Sequence, residues 1–269
     1  MAQGSLNDEA GLFGPDSMIW RVNREAVVPL AGTCAILMQL AHPKVAAGVR
    51  DHSQFETDLA GRLRRTMSLT LAWVFGSRAE AIKAVRVVNR LHDAVRGAGY
   101  SARDPQLLMW VHATLVYAAI RGYRTLVGPL TDDQADQYYQ DTKEIGVLLG
   151  IPPEIYPSRL SDFNAYLQSM IDSGEVRVED DARRMAALLL HPRIPGIPPL
   201  AMAPVRSLTA ALMPPRLRDE YGLRWRRVDR FAVATVESVL PRMLRVMPPS
   251  VRYVPPARHA YRRLRLQPA

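Results

Sequence analysis

The sequence is poor in cysteine. Cys34 is the only cysteine in 269 residues, so an intramolecular disulfide and a CxxC metal or redox motif are both excluded. A single thiol is compatible with a reducing cytoplasm, and we expect a cytoplasmic protein. The polar start of the sequence, MAQGSLNDEAGLFGPDS, has no apolar core segment, so we expect no secretory signal there.

Long apolar runs without charge are also lacking. The longest extends from Val27 to Ala41 and falls short of the roughly 18 residues that indicate a membrane span. A buried core helix is the better interpretation of this run. With 48% hydrophobic and 23% charged residues, the composition is that of a globular protein with a sizeable core.

Lysine is scarce, and acidic residues are missing from the end of the chain. Residues 238–269 contain seven arginines and no Asp or Glu, so removing them lowers the formal net charge from +9 to +2. Abundant arginine is typical of phosphate or carboxylate recognition, and it is equally a mark of a GC-rich genome. Prolines and aromatics interrupt this stretch, so we predict an irregular basic tail, either solvated or wrapped on the core.

Strand-like alternation is nearly absent, and apolar spacing indicates one helix after another. Cap residues such as Asp104 and Thr131, and stop residues such as Gly76 and Gly150, support the boundaries. The predicted helical segments are 22–41, 58–75, 78–96, 104–127, 131–149, 158–173, 179–190, 200–213 and 227–247. We therefore predict an all-α fold with one helical domain over residues 1–269.

The common catalytic signatures are missing. The sequence has no Glu-x-x-His, HExxH, P-loop or GxSxG motif, which argues against a di-iron bundle, a zinc protease, a nucleotide hydrolase and an α/β-hydrolase. Residues 97–102 match GxGxxA, but a helix is predicted before them where a dinucleotide site needs a strand. A helix stop followed by a turn explains these glycines.

Two of the six histidines lie in apolar surroundings. His92 falls on the apolar stripe of segment 78–96, and His112 is embedded in LLMWVHATLVYAAI. A buried histidine is costly unless its ring nitrogens have partners, and a satisfied core residue is the ordinary explanation of one such histidine. Two on consecutive helices, which we predict to be antiparallel neighbours, indicate a site between them.

A polar cluster occurs near the start of segment 58–75. Arg62 and Thr66 are four residues apart and share one helical face, and Arg65 borders that face. A solvated basic helix start is the simple interpretation. The functional alternative is a cluster that surrounds a buried anion or a bound oxygen species.

Five segments together resemble a known family. QLAHPKVAAGVRDHSQF, GRLRRTMSLTLAWVFG, VVNRLHDAVRG, YSARDPQLLMWVHATLV and MPPRLRDEYGL are similar, in order and spacing, to the family of the latex-clearing rubber oxygenases and the membrane-bound oxygenase of mycophenolic acid biosynthesis. The resemblance covers roughly residues 14–230. Characterised members of that family are similar all-α haem b proteins that use dioxygen to cleave the double bonds of isoprenoid chains. The resemblance therefore implies an all-α haem b protein that uses dioxygen.

The resemblance also implies roles for individual residues. His92 corresponds to the proximal haem ligand, and Arg62 and Thr66 correspond to an arginine and a threonine that active rubber oxygenases require. Arg65 stands where those enzymes have a lysine that can occupy the distal haem position. A guanidinium has no free lone pair for iron, so this difference argues against rubber as the substrate. His112 matches a recurrent family histidine without an assigned role.

Haem would need an axial nitrogen and cations for its propionates. His92 would supply the nitrogen, and Arg62 or Arg96 the cations, while Arg62, Arg65 and Thr66 could donate hydrogen bonds on the distal side. We expect a haem b oxygenase that acts with dioxygen on a lipophilic small molecule, either saturated or unsaturated. A haem sensor, carrier or storage protein without turnover is the alternative.

A third hypothesis is a peripheral membrane or nucleic-acid-binding protein that works through its arginine-rich tail. The tail sequence does not give a basic helical face, so we expect no nucleic acid partner. Contact with a membrane surface and the oligomeric state are left open by the sequence.

Overall fold

Helices make up almost all of the regular structure. The computed structural model describes residues 9, 11–53, 55, 58–192 and 198–267. The first helices are α1 (Met18–Asn23), α2 (Gly32–Leu40), α3 (Pro43–His52), α4 (Leu59–Phe75), α5 (Arg78–Ala94), α6 (Pro105–Leu126) and α7 (Asp132–Leu148). The later ones are α8 (Leu160–Asp172), α9 (Asp180–Leu190), α10 (Ala203–Leu212), α11 (Pro215–Glu220), α12 (Arg227–Val246), α13 (Pro249–Arg252) and α14 (Pro255–Arg263). The all-α prediction is confirmed.

Short elements connect these helices. Three 3-10 turns lie at Val28–Ala31, Pro153–Ile155 and Pro199–Met202, and a two-stranded antiparallel hairpin joins β1 (Arg96–Gly97) to β2 (Tyr100–Ser101). The predicted segment 22–41 is therefore not one helix. The 3-10 turn Val28–Ala31 interrupts this segment. Pro29 lies at its start, where a residue without an N–H is tolerated because the first N–H groups of a helix have no partner within it.

Local capping chemistry sets several helix starts as the sequence predicts. The side chains of Asp104 and Thr131 accept backbone N–H groups at the starts of α6 and α7. Ser77 and Glu80 form a capping box at α5, and His42 caps α3 through its Nδ1, which accepts the N–H of Lys44 at 3.3 Å. These bonds satisfy N–H groups that a helix start leaves without partners.

Helix α6 runs through the middle of the core. It packs against α2, where the indole N–H of Trp110 donates to the Met38 carbonyl at 3.2 Å and the Gln39 amide donates to Thr114 at 3.1 Å. Gly122 allows α6 to approach the first 3-10 turn, since a Cβ there would come within 2.5 Å of Ala31 Cβ. The core therefore combines apolar packing with paired buried polar groups.

Helices α4 and α5 form a helical hairpin that turns at Gly76 and Ser77. Because paired helices joined by so short a turn run antiparallel, the start of α4 lies at the same end as the close of α5. The β-hairpin follows α5, and Gly99 supplies its positive φ of 80°. Gly97 therefore lies in β1 and Gly99 in the turn of the β-hairpin, which agrees with the predicted helix stop followed by a turn.

The C-terminal region is helical and packed, so the prediction of an irregular tail is wrong. Arg252 forms a bidentate ion pair with the fully buried Glu25, at 2.8 and 2.7 Å. Tyr261 of α14 packs edge-on against Trp20, with ring centroids 5.5 Å apart. Prolines stand in the first turns of α13 and α14, where they begin helices instead of preventing them.

Among the described residues, every helix is either too short or too polar to cross a lipid bilayer.

Candidate active site at the end of a helical hairpin

The candidate site lies where the α4–α5 hairpin opens. Arg62 is in the first turn of α4 and His92 is in the last turn of α5, so the two side chains belong to one end of the hairpin. We call the region of Arg62, Leu91, His92 and Arg96 the hairpin end. The β-hairpin is fixed beside it, because His52 Nε2 lies 3.0 Å from the Arg96 carbonyl oxygen.

His92 has an imidazole with unused bonding capacity. Its side chain is half-buried, and its Nδ1 is buried with no hydrogen-bond partner among the described residues. Burial lowers the pKa of His92, the charge of Arg103 lowers it further, and Asp93 opposes the shift. The ring is therefore neutral at neutral pH and keeps a lone pair, which is the state that binds metals.

Arg103 is a site residue that sequence reasoning missed. Its guanidinium donates to Asp93 at 2.7 Å and to Asn89 at 3.0 Å, and so ties the segment before α6 to the last turns of α5. The i, i+4 spacing of Asn89 and Asp93 shows that they share a helical face. It does not reveal that a basic residue beyond the β-hairpin reaches them.

Arg62 is a half-buried cation whose partners among the described residues are uncharged. Its guanidinium donates to Ser53 Oγ and lies 5.2 Å from the ring centre of Phe55, and in the described parts of the chain it has no carboxylate partner. Burial, and then the charge of Arg65, lower the pKa of Arg62. An arginine still remains cationic, so this group favours the approach of an anion.

The other predicted polar residues face the solvent. Arg65 is exposed and pairs with Asp58 at 2.9 Å. Thr66 is exposed as well, and its backbone carbonyl accepts a hydrogen bond from the Thr70 hydroxyl. Arg96 is exposed at the start of the β-hairpin. Arg62, His92 and Arg96 thus belong to one end of the α4–α5 pair, whereas the side chains of Arg65 and Thr66, further along α4, are exposed.

His112 occupies a deeper position than His92. It is 8% exposed, its ring meets that of Tyr156 at 5.6 Å in a T-shaped contact, and its Nε2 has no partner in the described structure. Burial lowers its pKa to about 4. We predicted α5 and α6 as paired neighbours, but α5 packs chiefly against α4, and α6 chiefly against α2.

The donor set at the hairpin end is a single imidazole. The described residues contain no group of three or more His, Cys, Asp and Glu side chains that could hold a metal ion. A haem iron needs only an axial ligand from the protein, because the porphyrin supplies the equatorial nitrogens. A single imidazole such as that of His92 is compatible with this requirement, and Arg62 and Arg96 are cations of the kind that pair with propionates.

Comparison with known proteins identifies the class as an oxygenase. The chain belongs to the family described as ER-bound oxygenase mpaB/B'/rubber oxygenase, catalytic domain, whose model matches residues 20–263. The match extends beyond the expected residue 230 and includes α12 to α14. Membership supports an oxidoreductase that acts as an oxygenase.

Two curated relatives are uncharacterized proteins, one of Mycobacterium bovis and one of Mycobacterium tuberculosis. Each is 27% identical over 226 residues, which cover 79% of this chain and 87% of the relative. No solved structure matches the chain.

Proposed function

We propose that this protein is a haem b oxygenase that acts with dioxygen on a lipophilic small molecule, with His92 as the axial ligand of the iron. The observation that carries the proposal is the neutral, half-buried imidazole of His92, whose buried Nδ1 is unpartnered in the described structure. Family membership supplies the oxygenase class. The proposed location is the cytoplasm.

The surroundings of His92 suit a flat apolar group with acidic edges. Leu91 is 56% exposed beside it, which offers apolar surface to a macrocycle. Arg62 and Arg96 supply cations at the same end of the hairpin. When bound, haem would contribute an iron atom able to bind dioxygen and exchange electrons.

The chain's own residues would hold and orient the reactants. His92 would donate its lone pair to the metal, and Arg103, near enough to disfavour the charged ring, helps to keep it neutral. Arg62 is the strongest candidate for stabilising negative charge, because it is desolvated and unpaired with any described carboxylate. We propose that Arg65 and Thr66, one turn further along α4, would support Arg62 as additional hydrogen-bond donors on the distal side. His112 is the alternative axial ligand.

Haem titration of purified variants tests the ligand assignment. We expect a Soret band with the wild-type protein and with His52→Ala, and little bound haem with His92→Ala. His52 is the matched control because it is an exposed histidine beside the same site. Loss of haem in His112→Leu with retention in His92→Ala would contradict the proposal.

Oxygen uptake separates an oxygenase from a haem carrier or sensor. We expect the haem-loaded protein to consume dioxygen when lipophilic substrates, including unsaturated ones, are supplied. Bound haem without uptake across such a panel would favour the carrier or sensor.

Paired variants test the polar residues of α4. A lost hydrogen bond to a charged group costs about 1.5–3 kcal/mol, against about 0.5–1.5 kcal/mol for a neutral one, and roughly 1.4 kcal/mol is a factor of ten in rate. We therefore expect Arg62→Ala to slow turnover more than Thr66→Ala does. Rates are compared per bound haem, since Arg62→Ala can also lower haem content, and a larger effect of Thr66→Ala on the rate per haem would contradict this ranking.

A further inference from the structure

Helix α12 carries large apolar side chains on the face that points away from the protein. Val233 and Leu244, 7% and 2% exposed, anchor the helix, which packs against α6 and α10. Five other apolar residues form what we call the outer stripe: Val228 at 67% exposure, Phe231 at 76%, Val239 at 46%, Met243 at 47% and Val246 at 84%. At about 100° per residue, the stripe fits within an arc of roughly 120° opposite the anchors.

The stripe is a continuous feature of the surface. The helix has 20 residues, and at 1.5 Å per residue the stripe extends for about 30 Å. Single exposed apolar residues are ordinary in soluble proteins, whereas an aligned set of this length marks a surface that contacts another body.

Cations border the stripe on one edge. Arg227, Arg242 and Arg245 are exposed, and in the described structure none has an ion-pair partner. Helical spacing places all three on the same side of the stripe as Phe231, Arg227 near the start of the helix and Arg242 and Arg245 near its end. The acids of α12 lie elsewhere: Glu237 falls on the side opposite the stripe, and Asp229 is engaged by Ser207 Oγ at 2.7 Å.

This charge distribution distinguishes between two possible partners of the outer stripe, a second copy of the chain and an anionic lipid surface. A second copy packed antiparallel on the stripe would bring two cationic edges together, where like charges repel, and in either orientation it would present a stripe bordered by arginines with no carboxylate of α12 to pair with them. An anionic lipid surface would accept both features, since phosphates attract the arginines and the acyl boundary takes the apolar side chains. We propose that α12 lies along an anionic membrane surface with the outer stripe inserted. This proposal does not depend on haem binding.

Vesicle co-sedimentation tests the proposal on the full chain. We expect the wild-type protein to pellet with vesicles of phosphatidylcholine mixed with phosphatidylglycerol, and to stay in solution with phosphatidylcholine alone. The double variant Phe231→Ser/Val239→Ser should bind the mixed vesicles at least about tenfold more weakly. Both residues are solvent-exposed, so circular dichroism should show an unchanged fold.

Two double variants that remove the same charge distinguish a specific contribution of the arginines beside the stripe from an effect of the protein's net charge. Arg242→Gln/Arg245→Gln should weaken binding about tenfold. Arg86→Gln/Arg90→Gln removes the same charge from exposed positions on α5 and should retain wild-type binding. Equal weakening in both pairs would overturn the proposal, because binding would then follow net charge alone.

A fluorescent label reports insertion directly. The native Cys34 is fully buried, so an environment-sensitive dye can be attached at Val246→Cys in the stripe or at Glu237→Cys on the opposite side. We expect a blue shift on mixed vesicles for the first label only. The proposal is overturned if both labels respond alike, if the wild type ignores mixed vesicles, or if light scattering shows a dimer that Phe231→Ser/Val239→Ser dissolves.

Discussion

Glu25 at the C-terminal contact is a fully buried charge and Arg62 at the hairpin end is a half-buried one, and their surroundings differ. Glu25 is matched by Arg252 in two short hydrogen bonds, and the neighbouring Arg24 donates to Tyr261 at 2.8 Å. Among the described residues, the partners of Arg62 are a hydroxyl and an aromatic ring, and His92, at the same end of the hairpin, keeps a buried nitrogen unpaired. We call the group of Glu25, Arg252 and Tyr261 the clasp.

We propose that this contrast separates groups that stabilise the fold from groups that bind a ligand. A buried charge that is fully paired costs stability when one partner is removed. A buried polar group without a partner already carries its desolvation cost, which a ligand could repay. Substitutions in the clasp should therefore lower the free energy of unfolding strongly, and substitutions at the hairpin end should lower it only slightly.

The largest effect should follow removal of the clasp with its helix. Deleting residues 250–269 removes Arg252, the buried Tyr253 and Tyr261, and exposes Glu25 and Trp20. We expect loss of most of the free energy of unfolding, which is about 5–15 kcal/mol for a typical protein. Urea denaturation followed by circular dichroism measures it, and a truncated protein of nearly wild-type stability would contradict the account.

Removing one partner of the clasp should cost less. Glu25→Ala leaves the Arg252 guanidinium, whose side chain is 20% exposed, without its carboxylate. We expect the free energy of unfolding to fall by about 3–5 kcal/mol. The exposed Arg124–Asp132 pair is the control, and Asp132→Ala should cost less than about 1 kcal/mol. Equal costs would remove the distinction between the clasp and a surface ion pair.

Acid should reveal the buried His112. Its pKa of about 4 in the folded protein lies below the usual value of 6.5, so the unfolded chain binds more protons between these values. The stabilising contribution is present above pH 6.5 and is lost as pH falls toward 4. We expect about 2 kcal/mol of loss from this group between pH 7 and pH 5.

The variant His112→Leu isolates that contribution. Its free energy of unfolding should fall less steeply over the same pH range, and the remaining slope should reflect His42 and His92, whose pKa values burial also lowers. An acid slope identical to that of the wild type would show that His112 is not the responsible group.

The smallest effect should be at the hairpin end. His92→Leu removes a buried unpaired nitrogen and leaves no new one, so the haem-free protein should keep its free energy of unfolding within about 1 kcal/mol. Chemical denaturation of the haem-free protein checks this. A loss above about 3 kcal/mol would place His92 with the clasp as a structural residue.

Sequence patterns predicted the helices well where capping residues and apolar spacing agree, as at α4 to α7. They failed at α13 and α14, because proline is common both in the first turn of a helix and in irregular segments, and the sequence alone does not distinguish the two. The clasp joins residues 25 and 252, and no local pattern shows that two such distant charges meet.

The candidate site was predictable in part. His92 and Arg62 follow from the resemblance, and the hairpin that places them at one end follows from the stop at Gly76. Helical spacing places Arg62 and Thr66 on one face of α4 but does not show how far other segments cover that face, so the exposure of Arg65 and Thr66 could not be predicted. Arg103 reaches the site across a turn whose geometry the sequence does not specify.

Imidazole rescue of a cavity variant tests the central claim most directly. In a haem titration, His92→Gly should show little Soret absorbance alone and should regain a wild-type-like band when free imidazole is added, because the small ring replaces the missing ligand. A wild-type Soret band in His92→Gly without imidazole would show that another residue binds the iron, and would contradict the assignment of His92.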